Sequence, residues 1–163
     1  MTSTQPTLEA KQAVVDAIQR AAQLAGGDRR YLELAHADLK MVGLELARHL
    51  EPGEVASLCL PAEVAHDGRY DPGMVLLLDK RAVIAWFEGT LRVTKRSLAF
   101  TLSDISELAT VARDRGRRSV FRQAVTFAVG GARHEIVLPS EAAKGLLTDM
   151  VSGVLSGAVT FQP

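Results

Sequence analysis

The hydrophobic periodicity of this chain changes once, at Glu51-Pro52-Gly53. Before this point, apolar residues recur every three or four positions, which is typical of one face of a helix. After it, short segments alternate between apolar and polar residues with a period of two, which is typical of strands with one buried face. We therefore expect an α+β protein in which helices precede a sheet.

Residues 1–50 predict two helices joined by a short turn. Thr7 can cap the first helix, and Gly26-Gly27 can end it because glycine adopts the left-handed conformation at low cost. Asp28 can cap the second helix. A link this short implies an antiparallel helical hairpin.

The second helix carries a narrow apolar seam that needs a surface to cover it. Its residues step by three and four along the chain: Leu32, Ala35, Leu39, Val42 and Leu46. Either the hairpin covers the sheet of its own chain, or the seam contacts a partner or a second copy. In the second case the partner or self-association residues are Leu32, Leu39, Val42 and Leu46. Because both helices contain Ala in their seams, the hairpin alone buries little area. We favour docking within the chain or a homodimer over a foreign partner.

Seven short strands are expected after the hairpin. They span residues 55–64, 74–78, 82–87, 98–102, 105–112, 121–129 and 133–138, with a further short segment at Leu91 and Val93. The clearest alternation places these residues on one face: Phe121, Gln123, Val125, Phe127 and Val129.

Turn signals separate these strands, and one more helix follows them. The densest signals lie at residues 66–73, 79–81 and 130–131. Ser140 can cap the final helix, and the apolar stripe over residues 142–155 is broad enough to pack on a sheet.

Three segments of the chain carry further motifs in a fixed order. Glu51-Pro52-Gly53-Glu54 is an acidic Pro/Gly approach to the first strand. Gly73 to Ile84 follows a glycine, strand, Thr/Asp-x-Arg, strand pattern, and Leu102 to Leu108 follows a polar-Asp-Ile-x-x-Leu/Val strand entry. Together with seven sequential strands and a final helix, these motifs resemble those of bacterial PH/GRAM-like domains, which belong to the PH-like superfold of pleckstrin-homology and GRAM domains. The resemblance covers residues 51–157 and implies a seven-stranded antiparallel PH-like barrel closed by a C-terminal helix.

Some features depart from that family pattern. Many PH domains carry a Trp in the C-terminal helix, whereas the single Trp here, Trp86, lies in a predicted central strand. Phosphoinositide-binding members carry basic residues around the first hairpin, where this chain offers only Arg69 among Asp67 and Asp71. We therefore do not expect inositol-phosphate binding at the usual place. The N-terminal hairpin also lies outside the common pattern.

The net charge of zero hides a division along the chain. Residues 1–71 sum to −4 and residues 72–163 to +4. A solvated strand surface explains such an asymmetry, and an anion-binding face is the alternative. Arginine can grip phosphate or carboxylate with two hydrogen bonds. The candidate anion- or lipid-binding residues are Arg92, Lys95, Arg96, Arg113, Arg115, Arg117 and Arg118.

Signals for catalysis, metal binding and nucleic-acid binding are weak. Cys59 lies within a predicted strand, so we expect a buried, inert thiol. His66, Asp67 and Asp71 lack an established metal-ligand spacing, and a turn explains them better. The aromatic content of 5% leaves few side chains for stacking on bases. We expect no enzyme, no cofactor, no metal and no nucleic-acid partner.

Compartment signals favour the cytoplasm. One cysteine fits a reducing environment. No apolar run approaches the roughly 20 residues of a membrane span, and residues 1–7 lack the features of a signal peptide. We expect a cytoplasmic protein, peripheral at the inner face of the membrane if it binds lipid.

The 163 residues, 47% of them apolar, are enough for a sizeable core. We expect a helical hairpin over residues 1–50 and a PH-like barrel with its helix over residues 51–163. The expected function is non-catalytic binding or scaffolding through protein–protein contact or self-association. The alternative is recruitment to an anionic membrane through the Arg-rich loop of residues 113–118 and the basic pair Lys95-Arg96. A small enzyme is a weaker third hypothesis.

Overall fold

The computed structural model describes residues 5–25, 29–89, 91–113 and 120–160. Three helices and seven strands make up these segments. In chain order they are α1 (Leu8–Leu24), α2 (Arg29–Arg48), β1 (Ala56–His66), β2 (Arg69–Leu78), β3 (Arg81–Glu88), β4 (Thr94–Thr101), a 3-10 turn (Leu102–Asp104), β5 (Ile105–Ala112), β6 (Gln123–Val129), β7 (Ala132–Leu138) and α3 (Glu141–Thr160).

All seven strands belong to one antiparallel sheet, in the order β4-β3-β2-β1-β7-β6-β5. The predicted α+β class, the two N-terminal helices, the seven antiparallel strands and the PH-like order of elements are confirmed. The sheet itself is not closed by strand pairing, because β4 and β5 stand at opposite ends of the strand order.

The first core cluster lies on one face of the sheet, here called the inner face. Strand residues from both halves of the sheet meet there, and α3 adds its own apolar side chains. The cluster includes Leu60, Val75, Ile84, Val125, Ile136, Ala143, Leu147 and Val151. A helix therefore covers the inner face where strand pairing between β4 and β5 would have closed a barrel.

The helical hairpin packs on the opposite, outer face of β1 to β3. Buried residues of α1 and α2 share a second core cluster with the strands: Val14, Ala17, Ile18, Ala35, Val42, Leu46, Cys59, Met74, Leu76 and Val83. The start of α1 lies beside the end of α2, since residues 5–13 and 47–54 line one surface groove. This is the expected antiparallel hairpin, and it is docked on the sheet of its own chain.

Hydrogen bonds from arginine fasten the hairpin to this sheet. Arg81 on β3 donates to both carboxylate oxygens of Glu54, at 2.6 and 2.8 Å, and to the carbonyl of His49 after α2, at 2.7 Å. Arg20 on α1 donates to the carbonyls of Ala56 and of Ser57, the latter at 3.0 Å. Both helices are thus tied to the sheet by polar contacts as well as by apolar packing.

Two predicted caps are confirmed. The Thr7 hydroxyl accepts a hydrogen bond from the Ala10 amide at 3.0 Å, and the Ser140 hydroxyl accepts one from the Ala143 amide at 3.0 Å. These contacts satisfy amide donors that have no partner within the first turn of a helix. The predicted caps at residues 26–28 lie outside the described residues.

The turn predicted over residues 66–73 is much shorter in the structure. Only Asp67 and Gly68 turn the chain, both with positive φ, and β2 begins at Arg69. Two residues in the left-handed region suffice for a tight hairpin. Gly73 therefore lies inside β2, where glycine is needed because a Cβ would sit 2.2 Å from the Ala85 carbonyl oxygen.

Two other strand assignments also differ from expectation. β4 begins at Thr94 and ends at Thr101, earlier than predicted. Phe121 precedes β6 and packs with Ala124 and Val137, away from the cluster that contains Val125. The alternation expected from Phe121 onwards therefore starts only with the strand itself, at Gln123.

Candidate functional site

Four donor side chains converge on the carboxylate of Glu88 at the end of β3. Its Oε1 lies 2.8 Å from Arg96 Nε, 3.1 Å from His66 Nε2 and 3.3 Å from Trp86 Nε1, and its Oε2 lies 2.9 Å from Arg69 Nη2. The strand register brings them together, because β1 turns into β2 here and β4 runs back along β3. We call these five residues the Glu88 cluster.

The electrostatics of this cluster keep Glu88 ionised. Desolvation favours the neutral acid, but the Trp86 hydrogen bond and the charges of Arg96, His66 and Arg69 together lower the pKa of Glu88. Two of the basic residues at this end of the sheet are therefore neutralised within the chain. Arg69 has a second carboxylate partner in Asp71, at 3.2 Å.

The loop between β3 and β4 places a different set of side chains beside the cluster. The Leu91 side chain is completely exposed, Val93 is 43% exposed, and Arg92 and Lys95 are also exposed. Within the described part of the chain, neither Arg92 nor Lys95 forms an ion pair. Arg92 and Arg69 help to line a shallow groove here.

Arg113 is held by β7. Its Nη2 lies 2.5 Å from Glu135 Oε1, and Tyr70 donates its hydroxyl to Glu135 Oε2 at 2.5 Å. The hydrogen bond and charge of Glu135 raise the pKa of Arg113.

The seven basic candidates do not form one described site. Arg96 and Arg113 are paired with two separate carboxylates, and Arg92 and Lys95 lie at the β3–β4 end. The other three, Arg115, Arg117 and Arg118, lie outside the described residues.

The seam of α2 is largely used within the chain. Val42 and Leu46 are fully buried in the outer-face cluster, and Leu39 packs against that cluster. Leu32 is half-buried against the inner-face cluster. Val42 and Leu46 are therefore corrected from partner contacts to core residues, because their own sheet already covers them.

The two outermost strands expose different chemistry. β4 presents Lys95 and Arg96 in its exposed first half, whereas β5 carries no charged side chain from Leu108 to Ala112. Residues 109–112 are all exposed, and Leu108 is half-buried. The sequence predicted the bounds of β5 correctly but gave no sign that this strand would end the sheet.

The direction of the backbone groups on β5 follows from its pairing with β6. The Arg113 amide donates to the Arg122 carbonyl on the β6 side, at 2.8 Å. In an antiparallel ladder, alternate residues direct both their N–H and C=O to the same neighbour. The amides and carbonyls of Leu108, Thr110 and Ala112 therefore point away from β6, to the open side of the sheet.

Asp38 and Cys59 are titratable groups at the interface between the hairpin and the sheet. Burial, and then the nearby charge of Glu63, raise the pKa of Asp38 to about 7. Cys59 is fully buried as predicted, and burial followed by the charge of Asp38 raises the pKa of its thiol. A thiol in this state is a poor nucleophile.

No group of three or more potential metal ligands gathers among the residues that the structure describes. Of the residues weighed above as ligands, His66 lies 3.2 Å from Asp67 and 3.1 Å from Glu88, and Asp71 pairs with Arg69 at 3.2 Å. Over the same residues, no helix combines the length and the apolar character needed to cross a bilayer.

Several solved structures are similar to this chain. The Vps36 N-terminal PH domain has 14% identity and a TM-score of 0.46, with 68% of this chain and 86% of that chain covered. A DUF1696 family protein with a pleckstrin-homology domain from Shewanella loihica has 11% identity and a TM-score of 0.44, with 72% and 92% covered. The linker-DH/PH fragment of p115-RhoGEF has 12% identity and a TM-score of 0.46, with 91% of this chain but 40% of that chain covered. No protein-family model matches the chain, and no curated protein matches it.

Proposed function

We propose that this protein is a non-catalytic binding module that adds an extended segment of a protein chain to the open edge of β5. The observation that carries the proposal is the outward direction of the Leu108, Thr110 and Ala112 backbone groups on an exposed, uncharged strand. An unpaired strand edge is a template for main-chain hydrogen bonds with another strand.

The contrast with β4 supports this assignment. Charged residues, lysine above all, protect sheet edges against pairing, and β4 carries Lys95 and Arg96 on its exposed half. β5 has no such protection from Leu108 to Ala112. The edge of β5 is therefore the better acceptor for an incoming strand.

The states of Cys59 and Glu88 support a non-catalytic role. The Cys59 thiol is buried, and Glu88 is held ionised by four donors. Neither group is poised as a nucleophile or as a proton donor at neutral pH.

Selection of peptides from a random ten-residue display library tests the proposal without a known partner. Enriched peptides are expected to slow hydrogen exchange at the amides of Leu108, Thr110 and Ala112. Thr110→Pro removes one outward N–H but no hydrogen bond to β6, so it is expected to abolish peptide binding while the fold remains.

The matched control is Thr110→Ala, which keeps the amide and removes only the side chain. It is expected to bind peptides within about threefold of the original chain, because strand addition depends on the backbone. Peptides that bind Thr110→Pro equally well, or that protect only hairpin amides, would contradict the proposal.

Recruitment to an anionic membrane is the second candidate function. It is favoured by the fully exposed Leu91 and exposed Val93 next to Arg92 and Lys95, because an apolar tip with basic neighbours suits a lipid interface. In this case we propose a cytoplasmic protein peripheral at the inner face of the membrane.

Co-sedimentation with vesicles that contain 30% phosphatidylserine tests this candidate. Leu91→Glu and the pair Arg92→Glu, Lys95→Glu should each release the protein if the β3–β4 loop contacts lipid. A quadruple Arg113, Arg115, Arg117 and Arg118→Glu variant tests the Arg-rich loop in the same assay. Failure of the original chain to pellet would reject membrane recruitment through either loop.

A further inference from the structure

We infer that the strand added at this edge is β5 of a second copy of the chain, paired antiparallel about Thr110. The inference rests on the proposed function, because it names the occupant of the same edge. It follows from the symmetry of the regular part of β5 and from the order of its charges.

The regular part of β5 is centred on Thr110. At one end, the β5–β6 register shifts between Ile105 and Glu107. At the other, the ladder continues to the hydrogen bond between the Arg113 amide and the Arg122 carbonyl. The stretch from 107 to 113 thus has Thr110 at its middle and outward backbone groups at 108, 110 and 112.

An antiparallel strand pair related by a two-fold axis must place one residue opposite itself or place the axis between two residues. With the axis at Thr110, residue 108 of one copy faces residue 112 of the other, and 110 faces 110. Every outward N–H and C=O of the three positions then meets an outward group of the second copy. A shift of one residue would place outward groups opposite groups already bonded to β6.

The charges at the two ends of the stretch agree with this register. Position 107 of one copy falls opposite position 113 of the other, so Glu107 lies level with Arg113 at both ends of the pair. Opposite charges across a strand pair stabilise it, and like charges destabilise it. No like charges face each other anywhere in the stretch from 107 to 113.

Glu107 and Arg113 already have partners within the chain, but both remain exposed enough to contact a second copy. Glu107 pairs with Arg133 at 3.2 Å, and both side chains are more than half exposed. Arg113 is 41% exposed although it contacts Glu135. Between these ends the second copy contributes Ala109 opposite Val111 and a Thr110–Thr110 pair, all of them exposed in a single chain.

Disulfide trapping tests the register directly. Directly opposed, hydrogen-bonded residues in an antiparallel pair lie about 5.5 Å apart at Cα, which is within the range of a disulfide. Thr110→Cys is expected to form a covalent dimer under mild oxidation. Ala112→Cys is the matched control, because its two copies would lie about 13 Å apart along the strands. The original chain is a second control, since Cys59 is buried.

Charge pairing at the centre gives an independent readout. Thr110→Lys and Thr110→Glu each place like charges opposite each other, so each variant is expected to weaken dimerisation at least tenfold in sedimentation velocity. A mixture of the two is expected to recover a species of twice the 17.5 kDa chain mass. Unchanged melting temperatures of the separate variants would show that the fold is retained.

The outcomes separate this inference from the proposed function. A monomer at millimolar concentration overturns the second-copy inference, while selected peptides that bind the β5 edge would still support the proposed function. A dimer that Ala112→Cys traps as fast as Thr110→Cys overturns the register. Absence of both dimer and edge-binding peptides overturns both.

Discussion

The two halves of the sheet differ in how much of their outer face the helical hairpin covers. In the half formed by β1 to β4, the inner core lies on one face and the hairpin covers the opposite face of β1 to β3, so the run from Met74 to Leu78 is fully buried. In the half formed by β5 to β7, Val125 and Ala124 are buried in separate clusters, but most of β5 is exposed. The first half therefore holds the interface between hairpin and sheet, and the second half ends in an exposed, uncharged strand.

Because of this difference, we expect substitutions in the first half to change the stability of the fold and substitutions on β5 to change association. Continuous apolar strands are typical of sheets covered on both faces, and each buried side chain there contributes to the free energy of unfolding. Exposed edge residues contribute little to that free energy. Substitutions in the two halves should therefore affect different measurements.

The largest effect on stability is expected for Leu76→Ala in the covered half. Leu76 is fully buried in the outer-face cluster, so the change leaves a cavity between β2 and the hairpin. It should lower the free energy of unfolding by about 2–5 kcal/mol, measured by urea denaturation. A loss below 1 kcal/mol would show that the hairpin is not firmly packed on the sheet.

A smaller effect of opposite sign is expected for Asp38→Asn at the same interface. Because the folded-state pKa of Asp38 is about 7, above its ordinary value of 3.8, the folded state holds more protons between these pH values. The stability of the original chain should therefore fall as the pH rises through this window, and the cost is complete above pH 7. The variant should lack this dependence.

At pH 8 the Asp38→Asn variant should be more stable by on the order of 2 kcal/mol, a value reduced from the full shift because the side chain is partly exposed. At pH 4 the two proteins should have nearly equal stability. Denaturation curves at both pH values check this, and an equal difference at both would contradict the role of ionisation.

The smallest effect is expected in the open half. Val111→Ala removes an exposed side chain of β5 and should change the free energy of unfolding by less than about 0.5 kcal/mol. The matched variant Val83→Ala removes the same atoms from a fully buried site and should cost about 2 kcal/mol. If both variants lost the same free energy of unfolding in chemical denaturation, the proposed difference between the two halves would be wrong.

Local patterns in the sequence were enough to predict most elements. β5 has the predicted bounds, and the caps at Thr7 and Ser140 form as expected, because each depends on neighbours within a few residues. β2 began earlier than predicted, since Asp67-Gly68 alone turns the chain.

The candidate sites depend on long-range register, which a single sequence does not encode locally. His66, Arg69 and Arg96 reach Glu88 only because three strands are aligned at one end. The open edge of β5 likewise depends on which strands lie outermost. The orientation of the α2 seam towards its own sheet was one of two alternatives, and packing decided between them.

Lys95 and Arg96, in the exposed first half of β4, disfavour the addition of further strands at that edge of the sheet. If β5 pairs with a second β5, the joined sheet has a β4 strand at each of its outer ends. Addition of a further strand along the first half of β4 would bring it against the charges of Lys95 and Arg96. We therefore expect the proposed pair to be closed and not to grow into a fibre.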